Sequence, residues 1–548
     1  PPSKSQSHLA IVSCLGCKFV MPTFLIVAFL MQELINLVLL FQRTKFKVSG
    51  MMSIVLEPDS EMERFYNAIA GGFVKTEDDA RAVFPEYARN PARLHTIKGK
   101  LKERLNDSIL LLDFRESAFT ERQHAFYACS RKWAASMTLM TKNARENGIN
   151  LLENLLRQTL RFEFTELTVD ILRTLRLHYG ILEGDQKRFD QIEQQLNQYE
   201  EYWIMERKTE GYYAELVTRY VRNKSQKEEI SKKAREYFDR VKPYLEQCSM
   251  FKVQFFGRML EILIYDSMQD YPVTARLCEQ ALEFFGKKDY VSNTVLQVFN
   301  YNLFTCYLHM RQFDKCLFMA RENQDLFEDG TYNWFKLQEL YFLSAMHSGN
   351  YSDGLRISLA VAAHPNFEYQ PAPVIETWKI FEAYIALLAH GGLIAVPDTV
   401  SKFKISRFVN EIQFFSKDKS GMNIPVLVVQ FLFDLAQHRW PQIIDRAEGL
   451  SKYRSRYVNS PDMARSQCFL RMLEQVPKAS FLLPEVQKRT ADTWKQLTIL
   501  PSATHNPDTE IEIVPYEVLW GIVLNILDKP RHSELFAAAP IPAQRSRI

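Results

Sequence analysis

Glycine is scarce in this chain, at 19 of 548 residues. Tight β-hairpins and phosphate-cradling loops both depend on glycine, so its scarcity argues against sheet-rich folds and nucleotide loops. No G-x4-G-K-[ST], G-x-G-x-x-G, H-E-x-x-H or G-x-S-x-G pattern occurs, and with them go the commonest signatures of phosphoryl transfer, dinucleotide binding, zinc proteolysis and serine hydrolysis. Net charge is only +3, too little for the total alone to imply a polyanion partner. The eight cysteines are mostly isolated within apolar helical patterns, which fits reduced, buried thiols rather than a disulfide framework. Cys14 and Cys17 form a lone C-x-x-C with no second pair, a weak signal for metal or redox chemistry. No cofactor is expected.

Long apolar runs are equally scarce, with one exception. Residues 19–41, FVMPTFLIVAFLMQELINLVLLF, are long enough for a single membrane span, although Gln32 and Glu33 interrupt them. Arg43, Lys45 and Lys47 follow, which would keep the body of the chain cytoplasmic. The alternative expectation is that the native protein starts at Met51 or Met52 and that residues 1–50 are upstream translation. The body is then cytoplasmic with no membrane anchor.

From residue 52 onward, apolar residues recur at i, i+3, i+4 and i+7, the helical spacing. SEMERFYNAIAGGF, with Ser60 or Asp59 as its cap, is one such stretch; ELTVDILRTLRLHYGIL is another. Pro243 is expected to bend or end a helix, and Gly71-Gly72 and Gly391-Gly392 to mark helix ends. A pattern then repeats. An aromatic follows a polar turn, with further packing positions three, seven and ten residues later. It runs Phe189, Ile192, Leu196, Tyr199; Tyr271, Thr274, Cys278, Ala281; Phe313, Cys316, Ala320, Asn323; and Tyr351, Gly354, Ser358, Val361. Trp440, Ile443, Ala447, Leu450 gives a fifth copy. These offsets keep one helix face.

HSGNYSDGLRISLAVAAHPNF, MQDYPVTARLCEQALEFF and HMRQFDKCLFMARENQDLF resemble tetratricopeptide (TPR) repeats, with Gly349-Asn350-Tyr351 and His364-Pro365 standing where that family has its turn and terminal proline. The aromatics lie 42 (271 to 313) and 38 (313 to 351) residues apart, against a family period of about 34. The similarity covers residues 254–367. It implies an α-α superhelix whose first helices line a concave groove for a protein or peptide ligand. By register, the groove residues would be Tyr301, Thr305, His309, Lys336, Glu339 and His347.

CYLHMRQFDKC, residues 306–316, offers Cys306, His309 and Cys316 as metal ligands. Packing explains the stretch better. Cys316 takes the small-residue position held by Thr274 and Gly354 in the neighbouring copies, and a structural zinc site needs four ligands.

The most unusual segment is SKFKISRFVNEIQFFSKDKSGMNIPVL, which interleaves Lys402, Lys404, Arg407, Lys417 and Lys419 with Phe403, Phe408, Phe414 and Phe415. Residues 402–471 carry twelve Lys or Arg against six Asp or Glu, including Lys452, Arg454 and Arg456. Such a patch would suit nucleic acid or another acidic partner, or would be a solvated helix face.

The sequence therefore predicts an all-α protein, a TPR-like solenoid of antiparallel helix pairs. Its parts are an apolar leader (1–50), an N-terminal helical cap (51–145), helical repeats (146–392), a basic and aromatic insertion (393–421), C-terminal repeats closed by a capping helix (422–528) and a disordered tail (529–548). The expected function is non-enzymatic protein or peptide binding. The alternatives are nucleic-acid association through residues 402–471 and an enzyme with its site in the groove.

Overall fold

The computed structural model describes residues 25–43, 55–112, 121–222, 227–290, 293–395, 403–412, 422–458, 463–500 and 512–528. They are helical throughout, with no strand among them. Cys14, Cys17, Met51, Met52, Lys402, Phe414, Phe415, Lys417, Lys419 and the tail from Lys529 lie outside the described residues. The chain divides into two compact units, 1–334 and 335–548.

Of the apolar stretch 19–41, the described part begins at Leu25. The apolar helix Leu25–Arg43 packs on Glu61–Ala70 and Pro91–Ser108. Met31, Leu34, Val38 and Phe41 share one core with Phe65, Ile69, Tyr87, Leu101 and Leu105. Burial of a large aliphatic or aromatic side chain is worth about 1.5–3 kcal/mol, so this helix is an integral part of that core. The interrupting polar residues have partners: Gln32 donates to Asn36 at 3.1 Å, and Lys102 reaches Glu33 at 2.7 Å. No helix among the described residues is long and apolar enough to cross a membrane. Ser60 caps Glu61–Ala70, its hydroxyl accepting from the Glu63 amide. Pro243 lies inside Lys227–Gln247, which runs on past it rather than ending there.

Beyond the N-terminal core, consecutive helices pack on one another: Glu121–Thr141 on Arg145–Arg161, Lys227–Gln247 on Phe251–Ser267, and Tyr271–Gly286 on Asn293–His309. One turn recurs between helices. A single residue takes the left-handed conformation, at Asn143, Glu163, Gln269, Arg311, Gly349 and His438, and the next helix starts two residues later. The amide after the left-handed residue reaches back five positions, Asp270 to the Tyr265 carbonyl and Gln312 to Tyr307, both at 2.9 Å. This is the Schellman ending, which satisfies carbonyls the helix leaves open. The residue that opens the following helix is Tyr271, Phe313, Tyr351 or Trp440, the aromatics of the repeated pattern. Thr274, Cys316, Gly354 and Ile443, three residues on, are all buried. A Cβ on Gly354 would run into the methyl end of Met346, so the small residue there permits a close helix approach.

In the second unit Ala372–His390 and Asn423–Ala436 are buried on nearly every face and pack together, as central helices must be. Tyr516–Asp528 lies against Asn423–Ala436 and Leu483–Ile499. A buried ionic cluster fastens it. Arg465, 3% exposed, binds both Glu512 oxygens at 2.8 and 2.9 Å and Glu517 at 2.8 Å. Its remaining nitrogen donates to the carbonyls of Leu497 and Leu500.

Candidate functional site

A cleft of about 530 Å³ opens in the first unit. Trp133 and Met140 reach it from Glu121–Thr141, and Arg145 is the first residue of the next helix. Asp170, Arg173, Thr174 and Leu177 come from Thr165–Leu177. Their spacing puts these four on one stripe, while Val169, Ile171, Leu172 and Leu175 bury the other side of the same helix. One side therefore anchors the helix and the other faces the cleft.

The helix then widens into a π-turn, His178–Glu183, ended by left-handed Gly184. Its five-residue bond runs from the Gly184 amide to the Tyr179 carbonyl, and the Asp185 amide closes on the same carbonyl at 2.9 Å. π-turns are rare and frequently occur at functional positions. This one buries His178 and leaves Ile181 74% exposed and Leu182 55% exposed at the cleft. Gly180 makes the turn possible, because a Cβ there would stand 2.7 Å from the ring of Phe189. His178 Nε2 is 2.8 Å from Glu183. Two buried polar atoms of lining residues, Trp133 Nε1 and His178 Nδ1, have no hydrogen-bond partner. Arg145 makes no ion pair among the described residues, and Arg173 has only Asp170, at 3.9 Å. The cleft is thus an apolar floor with a cationic rim and one acid.

The six groove residues fall in different units. Tyr301, Thr305 and His309 share a half-buried face of Asn293–His309. Thr305 donates to the Tyr301 carbonyl at 2.9 Å, and His309 stacks flat on Tyr271 with ring centres 4.0 Å apart. In the second unit Lys336 pairs with Glu339. Glu339 and His347 are buried, where the register had placed them on a ligand-facing surface. Tyr332–Ser348 is covered all round, so a face that register assigns to solvent is interior here. His347 Nε2 meets the backbone carbonyl of Glu512. Burial raises the Glu339 carboxyl above its usual range, with Lys336 pulling it back. Cys306 and Cys316 are buried thiols, and burial pushes the Cys306 thiol far up. Among the described residues no group of three or more His, Cys, Asp or Glu is placed to hold a metal ion.

The described part of the basic patch is largely neutralised from within. Arg407 pairs with Glu411 at 2.7 Å and Lys452 with Glu448 at 2.6 Å. Arg454 grips the buried Glu474 with two bonds, at 2.7 and 3.2 Å. Lys404 and Arg456 are exposed. Phe408 is buried, and Phe403 stacks on Phe433 at 4.9 Å, so both phenylalanines belong to the interior packing.

No family model, curated protein or solved structure matches this chain.

Proposed function

We propose that this protein is a non-enzymatic scaffold, a TPR-like α-α superhelix that binds a segment of another protein. The observation that carries this reading is the recurring turn: one left-handed residue, then an aromatic two positions on that opens the next helix, at Gln269, Arg311, Gly349 and His438. Three of these turns lie at similar spacing, 42 residues from Gln269 to Arg311 and 38 from Arg311 to Gly349, as in arrays of stacked helix pairs, whose extended faces suit peptides.

The test uses the full chain on an immobilised array of short capped peptides of graded charge and apolar content. In parallel, a labelled single-stranded oligonucleotide is titrated over a salt series. The scaffold reading expects retention of a peptide subset and weak oligonucleotide binding. Oligonucleotide binding that falls steeply with salt, with no peptide retained, would overturn it.

A further inference from the structure

We infer that the cleft between Trp133 and Leu182 is the peptide site of this scaffold, and that it takes an extended segment pairing an acidic side chain with a large apolar one. The inference rests on the scaffold reading and adds the place and the chemistry.

The size and the apolar lining suit a few residues of peptide. Leu177, Ile181 and Leu182 are 53%, 74% and 55% exposed along one continuous strip of helix and π-turn. Scattered exposed leucines need no explanation, but three on one strip beside a cleft mark an interaction surface. Charge selects the occupant's sign. Arg145 and Arg173 stand at this floor against the single acid Asp170. Arg145 also begins its helix, where the aligned peptide dipoles add positive potential. Both guanidiniums can take a carboxylate through two parallel bonds.

The scaffold reading makes the occupant a segment of protein. A fatty acid would offer Arg145 and Arg173 the same carboxylate and the apolar strip the same hydrocarbon, and the dodecanoate arm of the experiment separates the two.

The experiment compares the full chain with the double variant Arg145→Glu/Arg173→Glu on the same peptide array, with circular dichroism to verify equal helicity. Both arginines are exposed, so the variant keeps the fold. The expected result is that the wild type retains peptides combining Asp or Glu with Leu, Ile or Phe. The double variant should lose these by at least about tenfold, the scale of one desolvated charge pair. Basic–apolar and acidic–polar peptides should stay unbound. A second variant, Ile181→Ser/Leu182→Ser, should weaken the same peptides without reversing the charge preference. Equal retention by wild type and both variants would overturn the site while leaving the scaffold reading intact. No peptide retained by any form would overturn both. Dodecanoate binding lost in the double variant, with no peptide retained, would make the occupant a fatty acid and also overturn the proposal.

Discussion

Replacing Glu206 with Gln should make the protein more stable at neutral pH, and the gain should grow with pH. Glu206 sits in Gln186–Arg222 and is 2% exposed. The hydroxyl of Thr165 donates to it at 2.5 Å. Burial raises its carboxyl from 4.5 to about 7, and the Thr165 hydrogen bond and the charge of Lys252 only partly oppose this. The folded state therefore holds the proton more tightly than the unfolded chain. That stability is fully present below the unfolded value and is lost as pH rises through about 7. A rise from 4.5 to about 7 corresponds to about 3 kcal/mol. Glutamine keeps an acceptor for Thr165 and carries no charge, so it removes the dependence. Urea unfolding followed by circular dichroism at several pH values gives the difference between variant and wild type, in which other titrating groups cancel. The variant's advantage should climb from near zero at about pH 4 towards about 3 kcal/mol at pH 8. A difference that stays flat across this range would refute the assignment of a buried, raised carboxyl.

Arg465→Met leaves Glu512 buried without its partner and should cost about 3–5 kcal/mol in unfolding free energy; adding Glu512→Leu should recover much of it in the same denaturation assay. Gln269→Gly and Arg311→Gly relieve exposed left-handed residues, and each should raise stability by about 0.5–1 kcal/mol. Gly180→Ala drives a methyl into the Phe189 ring and should destabilise by about 1–3 kcal/mol, seen as a lower thermal midpoint with weaker peptide retention.

Local rules made much of the fold legible. Ser60 reads as a cap because its hydroxyl can reach the Glu63 amide, and it does. Tyr271, Phe313, Tyr351 and Trp440 read as helix openers because they follow polar turns, and each is the first residue of its helix, whereas Phe189, the aromatic of the first copy, is the fourth residue of Gln186–Arg222. Properties that depend on distant chain did not show in any window. Residues 19–41 read as a membrane span, and nothing in that string reveals Lys102, the partner of Glu33, or the core of Phe65 and Leu101 on which Leu34 and Val38 pack. The basic excess of 402–471 looks unmet because two partners, Glu474 and Glu512, lie beyond the window. His347 and Glu339 look like surface residues because register fixes a face without saying what packs on it. The cleft did leave a trace. In ELTVDILRTLRLHYGIL, Leu177 and Ile181 share the stripe of Asp170 and Arg173, away from the buried Ile171, Leu172 and Leu175, so the helix carries a second apolar side. The π-turn itself carries no periodic signature, because it is a widened last turn of six residues that Gly184 ends at once.

The most direct test of the account is hydrogen–deuterium exchange on the full chain, with and without the peptide that the array retains most strongly. The account predicts new protection confined to residues 133–145 and 170–183, with the π-turn His178–Glu183 changing most. Protection elsewhere, with these segments exchanging as in the free protein, would contradict it.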